Sequence, residues 1–350
     1  MVITDTTLYF LMGIRHLNKY LRDKCPESIR VLNTADLEGK RIAIDISIYL
    51  YKYEGDNMLL ENIYLMLSIF RHHNIIPIFI FDGKPPPEKK ELLIKRKEDK
   101  QEAQKEYEKL QKSLDNNDDF DDSEKQEIVA TMDQLKKQFI NINKDKIESV
   151  KELIRAYGAT YYDAPGEADE LCALLVLKKK VWACLSEDMD LFVYGCPRVL
   201  RYFSLMNHNV VLYHMKGILE ELSLNQREFR EICILSGTDY NINANTNLSE
   251  SGNKGGKGGN SVNLHNTLKL FSKYKASNSN SNTFYEWLQS NSEYVSDLDL
   301  LKKINTMFDL SENTRNNKLD AFNSIKILNG PIMTECIQDI MREEGFIFMK

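Results

Sequence analysis

The sequence predicts an α/β protein with a doubly wound, mostly parallel central sheet and helices on both faces. Strand-like and helix-like segments alternate through residues 41–240, which is the pattern of this fold class. The apolar run Ile75–Phe81 is continuous rather than alternating, which is typical of a strand buried on both faces of a parallel sheet. A length of 350 residues with 42% hydrophobic residues provides ample core for such a domain and for additional parts.

Each element follows from a local pattern of apolar residues and of helix-ending signals. A helix near residue 150 presents a regular apolar stripe and ends at Gly158, the residue type that most often closes a helix. Residues 241–263 and 276–283 are rich in Asn, Ser and Gly and are predicted to be loops or linkers. The other predicted elements are a helical run at Met12–Leu21, a strand at Arg41–Leu50 leading into a helix through Asn62–Phe70, strands at Ile75–Phe81 and Val181–Leu185, a helix at Glu228–Leu235, and mixed helical sequence at Leu298–Lys350.

Composition excludes several classes of protein. No apolar run approaches the ~20 residues of a membrane span, and Met1–Leu11 lacks the basic start and long apolar middle of a signal peptide. The six cysteines form no CxxC pair, so a zinc ribbon or disulfide scaffold is not expected and a reducing, intracellular compartment is. The six histidines form no HExxH motif, so any metal is expected to have oxygen ligands. The net charge of −6 does not exclude nucleic acid, because the distribution of charge matters more than its sum.

Carboxylates at the ends of the predicted strands are the main functional signal. Asp45 lies where the first strand gives way to a helix, Asp82 directly follows the second, and Asp188 and Asp190 follow the strand Val181–Leu185. Ligands of open parallel sheets bind beyond the carboxyl ends of the strands, so these four acids are expected to converge on one crevice. Three further candidates are Glu167 and Asp169 in APGEADE, where a helix is predicted to begin at Glu167, and Asp239 just after a helix, in SGTDY.

Such a cluster predicts divalent cations. Two like charges 4 Å apart repel by about 4 kcal/mol at an effective dielectric near 20, so seven acids in one crevice require positive charge or protons. Mg²⁺ or Mn²⁺ suits oxygen ligands, and two ions ~3.5–4 Å apart clamp the oxygens of a phosphoryl displacement. For any single acid, a helix cap or a solvated loop residue is the alternative. In a regular helix, Glu170 would be a better partner for Glu167 than Asp169 is, because residues i and i+2 do not share a face.

The ordered motifs IDISIYLY, FDGKPP, PGEADE, SEDMDLF and LSGTDY resemble the flap endonuclease, or XPG-like, family of structure-specific 5′ nucleases. The resemblance runs from Met12 to Tyr240, and the Asn- and Lys-rich insertions are compatible with a member from a large DNA virus. It implies two Mg²⁺ ions, replaceable by Mn²⁺, and attack by metal-activated water on a DNA phosphodiester. It also implies two ligand groups, one of Asp45, Asp82, Glu167 and Asp169, and one of Asp188, Asp190 and Asp239.

The resemblance further implies a basic helical arch that contacts the DNA. Lys89 and Arg96 match the family's basic residues that reach the scissile phosphate, and both are assigned catalytic and DNA-binding roles. Tyr51 matches the tyrosine on which a base stacks, with Tyr49 as the competing position. The other lysines of this region have a simpler alternative, a solvated helix with Glu–Lys pairs.

The chain departs from the family pattern at four places. Eleven residues precede Met12, so translation starts either at Met1 or at Met12, and Asp169 stands where the family usually has Glu. The family's Gly-x-Gly hairpin is replaced by a low-complexity segment in which a backbone cradle for DNA phosphates and a plain linker are the alternatives. The C-terminal REEGFIFMK lacks a sliding-clamp peptide. The candidate DNA-binding residues of the cradle are Gly255, Gly256, Lys257 and Gly258.

Four regions are expected: an N-terminal nuclease region (12–87), a helical arch insertion (88–143), an internal nuclease region (144–240), and a helical, low-complexity C-terminal region (241–350) that could contact duplex DNA. The expected protein is a monomeric Mg²⁺-dependent nuclease without a membrane partner. It acts on 5′ flaps and on branched or nicked duplex DNA in replication, repair or recombination, in the nucleus or, for a virus, at a cytoplasmic replication site. The alternatives are a catalytically silent DNA-junction scaffold and a metal-dependent ribonuclease.

Overall fold

A seven-stranded sheet forms the centre of the protein in the computed structural model, which describes residues 14–116, 122–240, 263–277, 283–292, 294–295, 297–310, 322 and 325–348. The strands are β1 (Ile29–Asn33), β2 (Arg41–Asp45), β3 (Ile76–Phe81), β4 (Thr160–Asp163), β5 (Ala183–Leu185), β6 (Arg198–Ser204) and β7 (Asn209–His214). Their order across the sheet is β1-β7-β6-β5-β2-β3-β4. The pairs from β6 through β5, β2 and β3 to β4 are parallel, and β7 and β1 add two antiparallel pairs at one edge. The predicted doubly wound, mostly parallel sheet is therefore confirmed.

Helices cover both faces of this sheet. In chain order they are α1 (Leu17–Lys24), α2 (Ser47–Gly55), α3 (Leu59–His72), α4 (Lys90–Asn116), α5 (Asp122–Lys136), α6 (Lys144–Ala156), α7 (Ala168–Leu177), α8 (Asp190–Val193), α9 (Met215–Leu222), α10 (Gln226–Ser236), α11 (Leu264–Ala276), α12 (Phe284–Asn291), α13 (Leu298–Phe308) and α14 (Thr334–Glu343). Short 3₁₀ turns lie at Pro26–Ser28, Thr34–Leu37 and Pro87–Lys89. Across the described ranges, no helix is long and apolar enough to cross a membrane.

Two hydrophobic cores result from the alternation of side chains along the strands. Ala43 and Cys184 belong to a core built with helices α1 and α7 to α13. Ile44 and Leu185, their neighbours in sequence, belong to a second core built with α2, α3, α6 and α14. Because successive strand residues point to opposite faces, one nearly continuous apolar strand supplies both cores.

The direction of winding reverses between β2 and β5. From β2 the chain moves to β3 and β4 on one side, and from β5 it moves to β6 and β7 on the other. In open α/β sheets, the crevice at the carboxyl ends of the two strands that flank such a reversal is the usual ligand site. The last residue of β2 is Asp45, and Ser186 follows β5 directly.

Several element boundaries differ from the predicted ones. The predicted strand to Leu50 is wrong, because β2 ends at Asp45 and Ser47 already begins α2. The single helix predicted to run through Phe70 is two helices, separated by a turn in which Asn57 adopts a left-handed φ of 54°. Four strands, β4 at one edge of the sheet and β1, β6 and β7 toward the other, were not predicted, since their sequences mix polar with apolar residues without a regular period.

The C-terminal segment crosses the amino ends of the parallel strands and docks on the second core. Gly330 N donates a hydrogen bond of 2.7 Å to Gly158 O, and Met333 N donates one of 2.7 Å to Ala156 O. Ile337 and Met341 of α14 are then buried in that core. Residues 325–333, named here the C-terminal strap, thus connect the amino ends of the parallel strands to α14.

Gly158→Ala is expected to destabilise the protein more than Gly39→Ala does. Both glycines have a left-handed φ, 70° and 68°, so alanine costs about 1–2 kcal/mol at either position. At Gly158 a Cβ atom would also lie 2.5 Å from the carbonyl oxygen of Gly330, whereas at Gly39 nothing lies within 4 Å. Urea unfolding of both variants measures the difference, and equal losses of stability would contradict the role given to the strap.

Candidate metal centre

A buried serine ties together the acids of the two strands that flank the winding reversal. Asp45 is 5% exposed at the end of β2, and Ser186 Oγ donates a 2.9 Å hydrogen bond to its Oδ2. The backbone N–H of Asp188 in turn donates to Ser186 Oγ over 3.1 Å. The carboxyl ends of β2 and β5 are therefore joined through one hydroxyl group. Its hydrogen bond to the N–H of Asp188 fixes the position of that residue after β5.

Asp82 joins the end of β3 to the start of α7. Its Oδ1 accepts a 2.8 Å hydrogen bond from the N–H of Ala168, and its Oδ2 accepts one of 2.5 Å from Ser47 Oγ. The neighbouring Gly83 donates its N–H to Gly166 O over 2.7 Å. A Cβ atom at Gly83 would lie 1.9 Å from a backbone oxygen of this loop, so only glycine permits the contact.

Glu167 and Asp169 lie close together because only one of them belongs to the regular part of α7. Glu167 is the N-cap residue with an extended ψ of 144°, and Asp169 is buried in the first turn of the helix. The rule that residues i and i+2 point apart applies within a helix and does not extend to its N-cap. The structure thus brings Glu167 and Asp169 to the same end of α7.

The remaining acids come from two helix termini. Asp190 begins α8 and is 1% exposed, and its N–H donates a 2.9 Å hydrogen bond to Asp188 Oδ1. Asp239 follows α10 after Gly237, whose φ of 109° turns the chain toward the crevice. All seven predicted acids therefore come from elements that meet at the carboxyl end of the parallel strands.

Two basic side chains enter this acidic crevice. Lys89, itself 7% exposed, places Nζ 2.6 Å from Glu167 Oε1 and 3.8 Å from Asp239 Oδ2. Arg96 donates from Nη2 to the same Asp239 oxygen over 2.9 Å. Tyr240 completes the contact, since its ring centre lies 5.0 Å from Lys89 Nζ and its hydroxyl donates to Glu167. The two cations predicted from the start of the arch are thus paired with two of the predicted acids.

Burial and the nearness of other acids raise the pKa of several carboxylates in the crevice. Desolvation, together with the charges of Asp82 and Asp188, raises the pKa of Asp45 to about 8. Burial likewise raises the pKa of Asp169, Asp188 and Asp190, and neighbouring carboxylates add to the rise. A proton or a nearby cation lowers the cost of keeping such acids buried together.

The same surroundings stabilise the charged form of Lys89. Burial by itself would lower the pKa of its ammonium group, but the surrounding negative charges outweigh that effect and raise the pKa above the ordinary value of lysine. The charges responsible are those of Asp169, Glu167, Asp190 and Asp239. Lys89 is therefore a permanent positive charge inside the crevice.

The donor set fits hard divalent cations. It consists of carboxylate oxygens, the ligand type that Mg²⁺ and Mn²⁺ prefer. Asp190 Oδ1 is buried and has no hydrogen-bond partner among the described residues, as expected of an oxygen that awaits another kind of partner. In the part of the chain that the structure describes, no three His, Cys, Asp or Glu side chains already stand in ion-binding positions, and Lys89 and Arg96 supply the positive charge.

Tyr51 and Tyr49 have different surroundings. Tyr49 is 1% exposed and belongs to the second core, whereas Tyr51 is 37% exposed and lies beside the crevice. Lys100 of α4 places its Nζ 5.0 Å from the centre of the Tyr51 ring. Burial raises the pKa of Tyr51, and the charge of Asp82 adds to the rise. Of the two side chains, only that of Tyr51 is exposed.

Three side chains of the crevice were not predicted, namely Ser47, Ser186 and Tyr240. Each lies inside a motif already singled out for its acids, so the signal was present, but hydroxyl groups next to acids are too common to be informative alone. Met12 and the predicted phosphate cradle, Gly255, Gly256, Lys257 and Gly258, lie outside the described residues.

Comparison with known proteins places the same regions in one family. The family model described as XPG N-terminal domain matches residues 12–103, and the XPG I-region model matches residues 158–239. Flap endonuclease 1 of Drosophila yakuba is 34% identical over 247 residues, a match that covers 65% of this chain and 60% of that protein. This chain thus matches less than two thirds of that relative's length.

Solved structures show the same fold. The catalytic core of Rad2 in complex with DNA substrate superposes with a TM-score of 0.57 at 21% identity and covers 95% of both chains. The Holliday junction-resolving enzyme GEN1, in complex with product DNA and a Mg²⁺ ion, gives a TM-score of 0.54 at 19% identity, covering 95% of this chain and 73% of that one. Both XPG family models thus match the regions that build the acidic crevice, and in these regions the chain resembles the flap endonucleases.

Proposed function

We propose that this protein is a metal-dependent, structure-specific 5′ nuclease that hydrolyses DNA phosphodiesters at flaps and at single-strand/duplex junctions. The observation that carries the proposal is the convergence of seven carboxylates, from elements distant in sequence, on the crevice between β2 and β5. The match to both XPG family models supports it, as does the DNA bound by the similarly folded Rad2 core.

The crevice would hold two Mg²⁺ ions, and the Mg²⁺ ion bound by GEN1 supports this choice of metal. When bound, such ions supply a water of lowered pKa and neutralise charge on the phosphate. The proposed ligands, directly or through water, are Asp45, Asp82, Glu167 and Asp169 for one ion and Asp188, Asp190 and Asp239 for the other. Ser47 and Ser186 would orient two of these carboxylates through the hydrogen bonds they already make.

Lys89 and Arg96 would bind the scissile phosphate and stabilise the charge that develops on it. Both cations already reach Asp239, so they can move from a carboxylate to a phosphate oxygen without leaving the crevice. Burial strengthens their effect, because the local dielectric is low and water is partly excluded. The hydrogen bond from Tyr240 to Glu167 would keep that carboxylate in place during the exchange.

The helices α4 and α5 would form the arch through which the single strand approaches, and Tyr51 at its base would stack on a nucleotide next to the cut. Packing of Tyr107 on Phe139, with ring centres 5.5 Å apart, joins α4 to the chain that follows α5. The proposed regions are those expected from the sequence, 12–87 and 144–240 for chemistry, 88–143 for the arch and 241–350 for duplex contact. Contacts to phosphates would make binding weakly dependent on DNA sequence and sensitive to salt.

Two other functions make different predictions. A silent junction scaffold would bind flap DNA and not cut it, and the presence of all seven acids speaks against it. A metal-dependent ribonuclease would cut single-stranded RNA without any need for a flap. One set of labelled substrates distinguishes the three.

Labelled 5′-flap DNA is expected to be cut at the junction in Mg²⁺ and to stay intact in EDTA. Asp188→Ala should slow cutting by more than about 100-fold, since loss of even an outer partner of a metal ligand costs about 10–100-fold. Asp163→Ala is the matched control, because Asp163 also ends a parallel strand but pairs with Lys151 over 2.9 Å. Cutting in EDTA, or equal rates for the two variants, would contradict the proposal.

The metal-free protein should lose stability as the pH rises from about 6 to about 9. The pKa of Asp45 is about 8 in the folded protein and near 4 in the unfolded chain, so the unfolded chain binds fewer protons across this window and is favoured as the pH rises. Mg²⁺ should counter the loss by replacing the protons.

Differential scanning fluorimetry in EDTA and in Mg²⁺ measures this pH effect. Asp190→Asn should show a smaller fall of Tm with pH in EDTA and a smaller rise of Tm with Mg²⁺. A rise with Mg²⁺ as large as that of the wild type would remove Asp190 from the proposed metal ligands.

Lys89→Met should lower kcat for flap cleavage by about 10²–10³-fold, the usual cost of losing one group that stabilises developing charge. Lys90→Met is the control, because Lys90 is the next residue, carries the same charge and is exposed. Single-turnover rates with saturating protein give the comparison. Similar losses in both variants would indicate a general effect of arch charge rather than contact with the phosphate.

A further inference from the structure

A buried arginine lies behind the acidic crevice and contacts the residues on both sides of Asp188. Arg201 of β6 is 4% exposed, and its Nη2 donates a 2.8 Å hydrogen bond to the carbonyl oxygen of Glu187. Its Nη1 lies 2.8 Å from Met189 Sδ and donates over 2.9 Å to Asn18 Oδ1. The guanidinium group therefore holds the chain immediately before and immediately after Asp188.

The side chain of Glu187 in turn contacts Arg201 and the next residue of β6. Its Oε2 lies 3.5 Å from Arg201 Nε, and its Oε1 accepts a 2.5 Å hydrogen bond from the N–H of Tyr202. Asn18 of α1 is bound in turn to the hydroxyl groups of Tyr202 and Tyr213, at 2.7 and 2.8 Å. Helix α1 and strands β6 and β7 are thus all connected to the segment that carries Asp188.

An irregularity in β6 makes this arrangement possible. Arg201 pairs with Val211 and Ser204 pairs with Asn209, so two residues of β6 oppose one residue of β7. Tyr202, in this bulge, has a φ of 59°, a left-handed conformation that is costly for a bulky side chain. The bulge frees the N–H of Tyr202 from the sheet ladder for Glu187, and bulges beside active sites commonly re-aim groups in this way.

Stability alone does not account for this buried ion pair. Taking two charges out of water is costly, and apolar replacements of similar volume are often as stable or more so. Glu187 and Arg201 also neutralise each other, so together they add almost no charge to the crevice. What the pair does supply is a fixed position for residues 187–189.

We propose that Arg201 is a positioning residue, which acts through Glu187 and Met189 to hold Asp188 and Asp190 where they bind a divalent cation. The assignment of the two aspartates rests on the proposed function. Metal sites need their ligands placed to within about 0.5 Å, which demands a rigid support of this kind.

The test compares Arg201→Met with Arg198→Met. Arg198 lies on the same strand, stacks on Trp182 at 5.1 Å and donates a 2.7 Å hydrogen bond to Trp182 O, but it lies at the amino end of β6. Mn²⁺ titrations followed by isothermal calorimetry measure metal affinity without any need for activity. Arg201→Met should weaken Mn²⁺ binding by about 10–100-fold, and Arg198→Met should leave it unchanged.

The double variant Glu187→Gln with Arg201→Met separates positioning from folding. Arg201→Met alone leaves the carboxylate of Glu187 buried and unpaired, so its Tm should fall, whereas the double variant should regain Tm and keep the weakened Mn²⁺ binding. In flap cleavage, both variants should need more Mg²⁺ for half-maximal rate, with KM for DNA unchanged.

Recovery of Mn²⁺ affinity together with Tm in the double variant would overturn the proposal, since the effect would then be structural. Equal Mn²⁺ affinities for Arg201→Met and Arg198→Met would overturn it as well. A wild type that binds Mn²⁺ but leaves flap DNA intact would count against the nuclease function, and the calorimetric comparison would still decide the role of Arg201.

Discussion

Repulsion among acids that the fold buries in one crevice is the constraint on which the rest of the site depends. The sheet brings Asp45 and Asp188 to the winding reversal, and burial makes each additional negative charge more costly. Protons on the acids and the buried ammonium of Lys89 reduce this repulsion. A crevice built in this way keeps its acids poised for cations because the protein itself cannot fully neutralise them.

The acids are held by backbone geometry more than by one another. Gly83 lets two loops approach to hydrogen-bonding distance, and Ser186 connects two strands. The bulge at Tyr202 aims a backbone N–H at Glu187, beside Asp188. These groups carry no charge, yet they decide which carboxylate oxygens share a space. Rigid placement of this kind lets distant segments of the chain form one chemical site.

Much of this could be predicted from the sequence, and what could not has a physical reason. Continuous apolar strands and acids at their ends are local patterns, so the parallel sheet and the convergence of the acids were predicted. The end of β2 was misjudged because Ile46 and Ile48 continue its apolar composition into α2. The role of Arg201 could not be predicted, because its partners Asn18 and Glu187 lie at sequence separations that form no recognisable motif. Only the folded sheet brings the three residues together.

The C-terminal strap has a consequence for how the protein is made. It joins Gly330 to Gly158 and brings Ile337 and Met341 to a core whose other members precede residue 213. During synthesis, that core therefore stays incomplete until more than a hundred further residues have left the ribosome. The apolar surfaces of α3 and α6 are exposed for that interval. Docking of α14 on these helices then completes the core.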